Sequence, residues 1–198
     1  MVKEQYIRSF IAVELPAELK AVLGKYKDKM APASREFVKW VSPDGIHVTL
    51  KFLGNINSGL VDKITLSIEQ ACTEMAPFML ETDIMGGFPN LKQPRVLWLG
   101  MHGDVDKMRL LQTRIDDRLV ALGFEKEKRE FTPHITLARI REKAGSSDRL
   151  KFGALLTGRS AGFKHMIQVE GVNLMQSRLQ PGGSVYTRLA SVKLSGNK

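Results

Sequence analysis

His47-Val48-Thr49-Leu50 and His134-Ile135-Thr136-Leu137 are one tetrapeptide pattern written twice, 87 residues apart. Each reads as part of a β-strand, Ile46 to Leu53 in the first copy and Phe131 to Ile140 in the second. Successive side chains on a strand point to opposite faces. His47 and Thr49 therefore share one face, and Val48 and Leu50 the other. His134 and Thr136 are related in the same way to Ile135 and Leu137. The apolar pair docks each strand on its core, and the polar pair is left to line a cleft.

The segments around the two motifs repeat as well. Phe10 to Leu15 is a short apolar strand, and Pro16 suits the first turn of the helix after it. Leu19, Val22, Leu23, Tyr26 and Met30 recur at helical spacing as its inward stripe. Lys20, Lys25, Lys27 and Lys29 form its wet face, and Pro32 stops it. Phe37 to Val41 is a strand and Ser42-Pro43-Asp44-Gly45 a turn. Gly54 closes the first motif strand. Asn57 or Ser58 caps a helix whose stripe is Leu60, Ile64, Ile68, Ala71, Cys72 and Met75, ended by Pro77. Phe78 to Gly86 is a strand, with a loop at Gly87-Phe88-Pro89-Asn90.

In the second half Arg95 to Met101 is again strand-like, and Asp104 caps a helix. The stripe of that helix is Val105, Met108, Leu111, Ile115, Leu119 and Leu122, and Gly123 stops it. Glu125 to Glu130 is an exposed connecting ribbon. After the second motif strand come a polar loop at Lys143 to Ser147 and a short helix near Asp148 to Leu156. Strands at Phe163 to Leu174 and Val185 to Leu194 follow, with a turn at Pro181-Gly182-Gly183 between them. Ser195 to Lys198 reads as a frayed end. Shifting Phe10 to Glu14 by the same 87 positions lands on the strand Leu97 to Met101. The expected architecture is α+β, with two pseudo-symmetric lobes, each an antiparallel sheet packed with helices, about a central cleft. No low-complexity linker divides the halves, residues 8–90 and 94–195. The expectation is one bilobal domain over residues 1–198.

Composition bounds the function. The chain has 198 residues, 43% hydrophobic and 26% charged, enough for a substantial core. Its single cysteine, Cys72, rules out an intrachain disulfide and reads as a small core residue. The first residues lack the apolar run of a signal peptide, and no stretch approaches the roughly 20 apolar residues of a membrane span. A cytoplasmic protein is expected, with no membrane partner. The net charge of +9 favours polyanionic partners.

Two histidines in one cleft suit acid–base chemistry. Imidazole titrates near pH 6.5, so one ring can be neutral while the other is protonated. The neutral ring takes a proton from water, and the charged one gives a proton to a leaving oxygen. Threonine hydroxyls can hold the non-bridging oxygens of a phosphate between them. This arrangement cleaves a phosphodiester without metal or nucleophilic side chain, and a small cyclic phosphate presents its phosphorus openly. A zinc site would need further ligands at tight spacing, and the sequence has no such cluster. No metal and no cofactor are expected. His102 and His165 sit in no motif and read as incidental.

The sequence resembles the 2H phosphoesterase superfamily, and within it the RNA 2′,3′-cyclic phosphodiesterase branch, historically called 2′-5′ RNA ligase. The resemblance rests on Phe10-Ile11-Ala12-Val13-Glu14-Leu15-Pro16, on His47 to Gly54, on Pro94-Arg95-Val96-Leu97-Trp98, and on Pro133 to Arg139. Leu174-Met175-Gln176-Ser177, Gly183 and Tyr186 extend it along nearly the whole chain. It implies a LigT-like fold and metal-independent hydrolysis of RNA 2′,3′-cyclic phosphate ends to 2′-phosphates by a monomer. It implies His47 as proton donor to the 3′ oxygen, His134 as the base on water, and Thr49 and Thr136 as phosphate clamps. Arg139, five residues past His134, faces away on an ideal strand, and a bulge would return it to the cleft. Arg95, Trp98 and Tyr186 are further candidate contacts. Reversible 2′-5′ ligation of tRNA-half-like ends would use the same residues. RNA-end binding without cleavage, or cleavage of another cyclic phosphate such as a cyclic nucleotide, are the other readings.

Overall fold

Nine strands and four α-helices make up the regular structure of the described residues. The computed structural model describes residues 5–156, 164–180 and 183–196. The first half runs β1 (Tyr6–Glu14), α1 (Ala17–Met30), β2 (Val38–Trp40), β3 (His47–Asn57), α2 (Val61–Cys72) and β4 (Phe78–Phe88). The second runs β5 (Val96–Gly103), α3 (Val105–Leu119), β6 (His134–Ile140), α4 (Ser146–Leu156), β7 (Met166–Val169), β8 (Gly171–Gln180) and β9 (Gly183–Lys193).

The strands join into one antiparallel sheet, ordered β7-β4-β5-β6-β3-β1-β8-β9, with β2 on β6. The motif strands β3 and β6 meet at its centre through the pair Val48↔Ile135. These are equivalent residues of the two repeats, so the local two-fold passes through this pair. Reading outward, β5, β4 and β7 lie beyond β6, and β1, β8 and β9 lie beyond β3. The halves exchange outer strands: β4 pairs with β5, and β8 pairs with β1. The two lobes expected from the repeat thus share a single sheet.

All four helices pack on one face of that sheet. Leu19, Leu23 and Met30 of α1, Ile64 and Ile68 of α2, Met108, Leu111 and Ile115 of α3, and Phe152 and Leu156 of α4 form one cluster. The sheet contributes Ile11, Val13, Val48, Leu50, Leu97, Leu99 and Ile135 to it. The opposite face carries a smaller buried group, Phe10, Ala12 and Met175, with Tyr186 against it. The motif residues His47, Thr49, His134 and Thr136 lie on this second face, half-buried, while Val48 and Ile135 are buried in the first.

Several local expectations change. Val22 is on the exposed side of α1, and Gly24 takes the inward place, where it lets Pro43 approach closely. Gly54 does not end β3, which continues to Asn57. Gly54 has φ 71° and sits where the β1–β3 register shifts, as glycine does at a bulge. Asn57 caps a short 3₁₀ turn, Ser58–Leu60, before α2 by accepting from the Gly59 N–H. Helix α2 ends at Cys72, before Pro77. Gly87 and Phe88 extend β4 and are not loop. Asp104 precedes α3, but its carboxylate accepts from the Met79 N–H at 3.1 Å instead of capping that helix. The second motif strand begins at His134, not Phe131.

The expected strand from Phe163 to Leu174 is two strands, β7 and β8, broken at Glu170, which lets the chain pair first with β4 and then with β1. Phe163, Pro181, Gly182, Asn197 and Lys198 lie outside the described residues. Gly196 is tied down by donating to the Met75 carbonyl at 2.9 Å, so the end is not frayed there. The β1–β5 correspondence is also one residue off. Glu14 lies opposite His47 and Gly100 opposite His134, so Phe10–Glu14 matches Val96–Gly100 and not Leu97–Met101. An apolar run shows that a strand exists but does not set its register to the residue.

Among the described residues no helix is long and apolar enough to cross a membrane.

Candidate active site

Both motif strands carry a bulge at the same place. Along β3, Glu14, Val13 and Ala12 of β1 face His47, Val48 and Thr49 in unbroken register, and then Ile11 faces Lys51. Leu50 is the extra residue, so Leu50 and Lys51 both turn toward the helices. Along β6, Gly100, Leu99 and Trp98 face His134, Ile135 and Thr136, and then Leu97 faces Ala138. Leu137 is the extra residue there, and Leu137 and Ala138 are both buried. An inserted residue reverses the alternation beyond it. Phe52 and Arg139 are therefore returned to the histidine face, and both are exposed. The bulge that would bring Arg139 round is present.

From Val48↔Ile135, antiparallel continuation sets His47 across from Thr136, and Thr49 across from His134. Each imidazole is oriented in the same way. Nδ1 of His47 donates to the Gly45 carbonyl at 2.8 Å, and Nδ1 of His134 donates to the Thr132 carbonyl at 2.8 Å. A carbonyl only accepts, so Nδ1 carries the hydrogen in both rings and Nε2 is the atom left for chemistry.

Their surroundings differ. His47 stacks on Phe10, with centroids 4.6 Å apart and planes 27° apart, and meets Tyr186 edge-on at 5.2 Å. Gly45 makes room for that tyrosine, since a Cβ there would lie 3.0 Å from its ring. Behind His47, Glu14 accepts from Asn173 Nδ2 at 2.9 Å and from Arg188. Burial lowers the His47 pKa from 6.5 to about 4. The Gly45 carbonyl opposes this, Lys20 adds to it, and Glu14 opposes it. His134 is flanked more loosely, by Phe88 edge-on at 5.5 Å and Trp98 at 6.4 Å.

In the free protein His47 is thus neutral at pH 7. Its ring protons in an NMR titration are expected to report a midpoint near 4. The folded value lies below the unfolded one, so its contribution to stability is complete above about 6.5 and is lost as pH falls through about 4. That contribution is at most about 3 kcal/mol. A His47 midpoint near 6.5 in the folded protein contradicts this reading.

The remaining candidates separate. Trp98 lies on the histidine face, flat over Gly86, where a Cβ would fall 2.0 Å from its ring. Its Nε1 is buried with no hydrogen-bond partner among the described residues. Tyr186 is in the His47 box. Arg95 precedes β5, and its backbone bonds Phe88 and Ile140. Its side chain is exposed just outside the strand. His102 pairs with Glu81 on the surface at 3.0 Å, and the backbone N–H of His165 donates to Thr82 Oγ1. Cys72 is a buried core residue whose thiol pKa is pushed up to about 11 by burial.

Sequence reasoning missed the supports: Phe10, Phe88, Gly45 and Thr132. The one available signal was position. Gly45 and Thr132 each stand two residues before a motif histidine. Among the described residues no group of three or more His, Cys, Asp or Glu side chains is placed to hold a metal ion.

A family model, LigT-like phosphoesterase, matches the chain twice, over residues 13–98 and 101–186. An RNA 2′,3′-cyclic phosphodiesterase of Methanothermobacter thermautotrophicus is 30% identical over 188 residues, 95% of this chain and 99% of that protein. One of Thermus thermophilus is 34% identical, covering 96% of this chain and 91% of the relative. Among solved structures, TT0787 of Thermus thermophilus superposes with a TM-score of 0.75 at 29% identity, over 97% of this chain and all of that one. E. coli LigT complexed with 3′-AMP superposes with a TM-score of 0.74 at 26% identity, over 96% and 99%.

Proposed function

We propose that this chain, which belongs to the LigT-like phosphoesterase family, hydrolyses RNA 2′,3′-cyclic phosphodiester ends to 2′-phosphomonoesters. It does so as a cytoplasmic monomer of one bilobal domain. The observation that carries the reading is the symmetric presentation of two Nε2 atoms, each ring fixed through Nδ1, with a threonine across the β3–β6 register from each. The curated relatives bearing the name RNA 2′,3′-cyclic phosphodiesterase align over nearly the full chain and support the choice of substrate.

In this mechanism the cyclic phosphate sits between the two histidines. Thr49 and Thr136 donate hydrogen bonds to its non-bridging oxygens and stabilise the charge that builds up there. Nε2 of His134 accepts a proton from water as the water oxygen bonds to phosphorus. The bond from phosphorus to the 3′ oxygen breaks, and Nε2 of His47 supplies the proton that leaves a 3′ hydroxyl. The phosphate remains on the 2′ oxygen.

The donor role of His47 has to be squared with its low free-state pKa. A nearby negative charge favours the protonated ring. Binding of the anionic phosphate therefore raises the His47 pKa, and the ring becomes an acid only in the complex. Arg139, now on the same face, adds positive charge to the cleft.

The test is product analysis on a short RNA with a 2′,3′-cyclic phosphate end. The expected product is the 2′-phosphomonoester, formed equally with and without EDTA. A 3′-phosphate product, loss of activity in chelator, or tight binding with no turnover between pH 5 and 9 would each overturn the proposal. Supplying a 5′-hydroxyl RNA in the same assay reveals any joined product.

A further inference from the structure

One carboxylate gathers side chains from three strands beside His47 and has no counterpart beside His134. Glu14 is the β1 residue directly across from His47. It shares the histidine face with Phe10 and Ala12, because β1 itself alternates without interruption there. Its Oε2 accepts from Nδ2 of Asn173 on β8 at 2.9 Å and from the Arg188 guanidinium on β9. A third bulge delivers that arginine. Asn173 faces Ser191 and Leu174 faces Ala190, but Met175 faces Arg188, so Leu189 is the extra residue. Leu189 and Ala190 both pack on the helix-side core, which returns Arg188 to the face of Met175 and Tyr186.

The carboxylate is held at a cost to its neighbour. Asn173 is 7% exposed, and pointing its amide nitrogen at Glu14 leaves its own Oδ1 buried with no hydrogen-bond partner among the described residues. The position of Glu14 says what the carboxylate does. Residues directly opposite in an antiparallel pair have Cβ atoms about 4.5–5.5 Å apart. A negative charge at that range favours a protonated imidazole. It acts on His47 without a hydrogen bond, because Nδ1 is taken by the Gly45 carbonyl and Nε2 is left for chemistry. In the other half the residue across from His134 is Gly100, which carries no charge. The two-fold that makes the histidines alike is therefore broken by one anion, on the His47 side.

The other groups around His47 set the balance. Burial holds the free ring neutral; the Gly45 carbonyl and Glu14 oppose this, and Lys20 of α1 adds to it. Tyr186 of β9 meets the ring edge-on, Arg188 stands behind the carboxylate, and His134 lies on the adjacent strand β6. We infer that Glu14 is a positioning residue for His47: oriented by Asn173 and tempered by Arg188, its charge keeps the proton on that ring in the complex and so makes His47, and not His134, the acid. This rests on the function proposed above. Glu14 and Arg188 then act on His47 in opposite directions.

The experiment reads the His47 ring by NMR titration of the free protein, and the pH profile of kcat on a short RNA with a 2′,3′-cyclic phosphate end. Glu14→Gln keeps an oxygen for Asn173 and Arg188 but removes the charge. It is expected to move the His47 midpoint, and the alkaline limb of kcat, to lower pH by about one pH unit, tenfold in proton affinity. Arg188→Met removes the opposing cation and is expected to move both to higher pH, while Glu14→Asp keeps them near the wild-type position. The Arg188 side chain is 54% exposed, so this variant reads the same charge should Glu14→Gln fail to fold. A merely structural ion pair would lower the melting temperature in both variants and leave the His47 midpoint and the limb in place. An unmoved midpoint, or movement in the same direction in Glu14→Gln and Arg188→Met, overturns this inference and leaves the proposed function standing. A wild type that turns over no cyclic-phosphate RNA overturns the proposed function, and the acid role with it, whatever the NMR midpoints show.

Discussion

Alanine at His47 or at His134 is expected to lower kcat/KM on a cyclic-phosphate RNA by about 10²–10⁴-fold, the usual worth of a positioned acid or base. The two losses arise at opposite ends of one proton path. Without His134 nothing takes the proton from the attacking water, and without His47 the 3′ oxygen leaves as an unprotonated alkoxide. Both steps belong to one transition state, so the double variant should be scarcely worse than either single one. The fold should survive. Both rings are half-buried on the face away from the main core, and neither belongs to the helix-side cluster. Steady-state kinetics with a thermal melt on each variant checks this. Wild-type activity in either single variant would defeat the acid–base reading.

Lys51→Met is expected to have the largest effect on stability, about 3–5 kcal/mol, the cost of leaving one member of a buried ion pair alone. In a chain of this size that is on the order of 10 °C in Tm. The β3 bulge turns Lys51 toward the helices, where its ammonium pairs with Asp116 of α3. Each side chain is only 8% exposed. The ammonium also donates to the Glu125 carbonyl at 2.7 Å, and Asp116 Oδ2 accepts from the Glu127 N–H at 2.8 Å. The pair thus ties the first motif strand to α3 and to the ribbon that leads into the second. Losing the ammonium leaves a buried carboxylate with one partner fewer. Lys51→Met combined with Asp116→Leu removes both charges and should recover much of the loss. Chemical denaturation of the three variants measures it. A single variant within 1 kcal/mol of the wild type would show that the pair is not buried in solution.

The helices were largely legible because their evidence is local. Ile64, Ile68, Ala71 and Cys72, or Met108, Leu111, Ile115 and Leu119, fall on one face at 3.6-residue spacing and need no partner to be recognised. The expectations that failed were questions of register and pairing. Gly54 looks like a strand end and proves to be a bulge. Glu170 interrupts an apolar run only because the chain there changes partner from β4 to β1.

The candidate site divides along the same line. His47, Thr49, His134 and Thr136 were readable as two facing pairs, because strand alternation is a property of the backbone and the repeat implies a two-fold. The sequence alone therefore determined the α+β class, the duplication and the four motif residues. It could not determine which residues beyond the motif share their face. Arg139 and Phe52 return to the histidines only through bulges at Leu137 and Leu50, and a bulge exists only relative to a neighbouring strand. The unlike ring neighbours of the two imidazoles, the Lys51–Asp116 brace and the Glu14–Arg188 bridge likewise join residues distant in sequence. Alternation acts between adjacent peptide units and is written in the chain. Register, burial and charge pairing arise between segments, and only the packed sheet decides them.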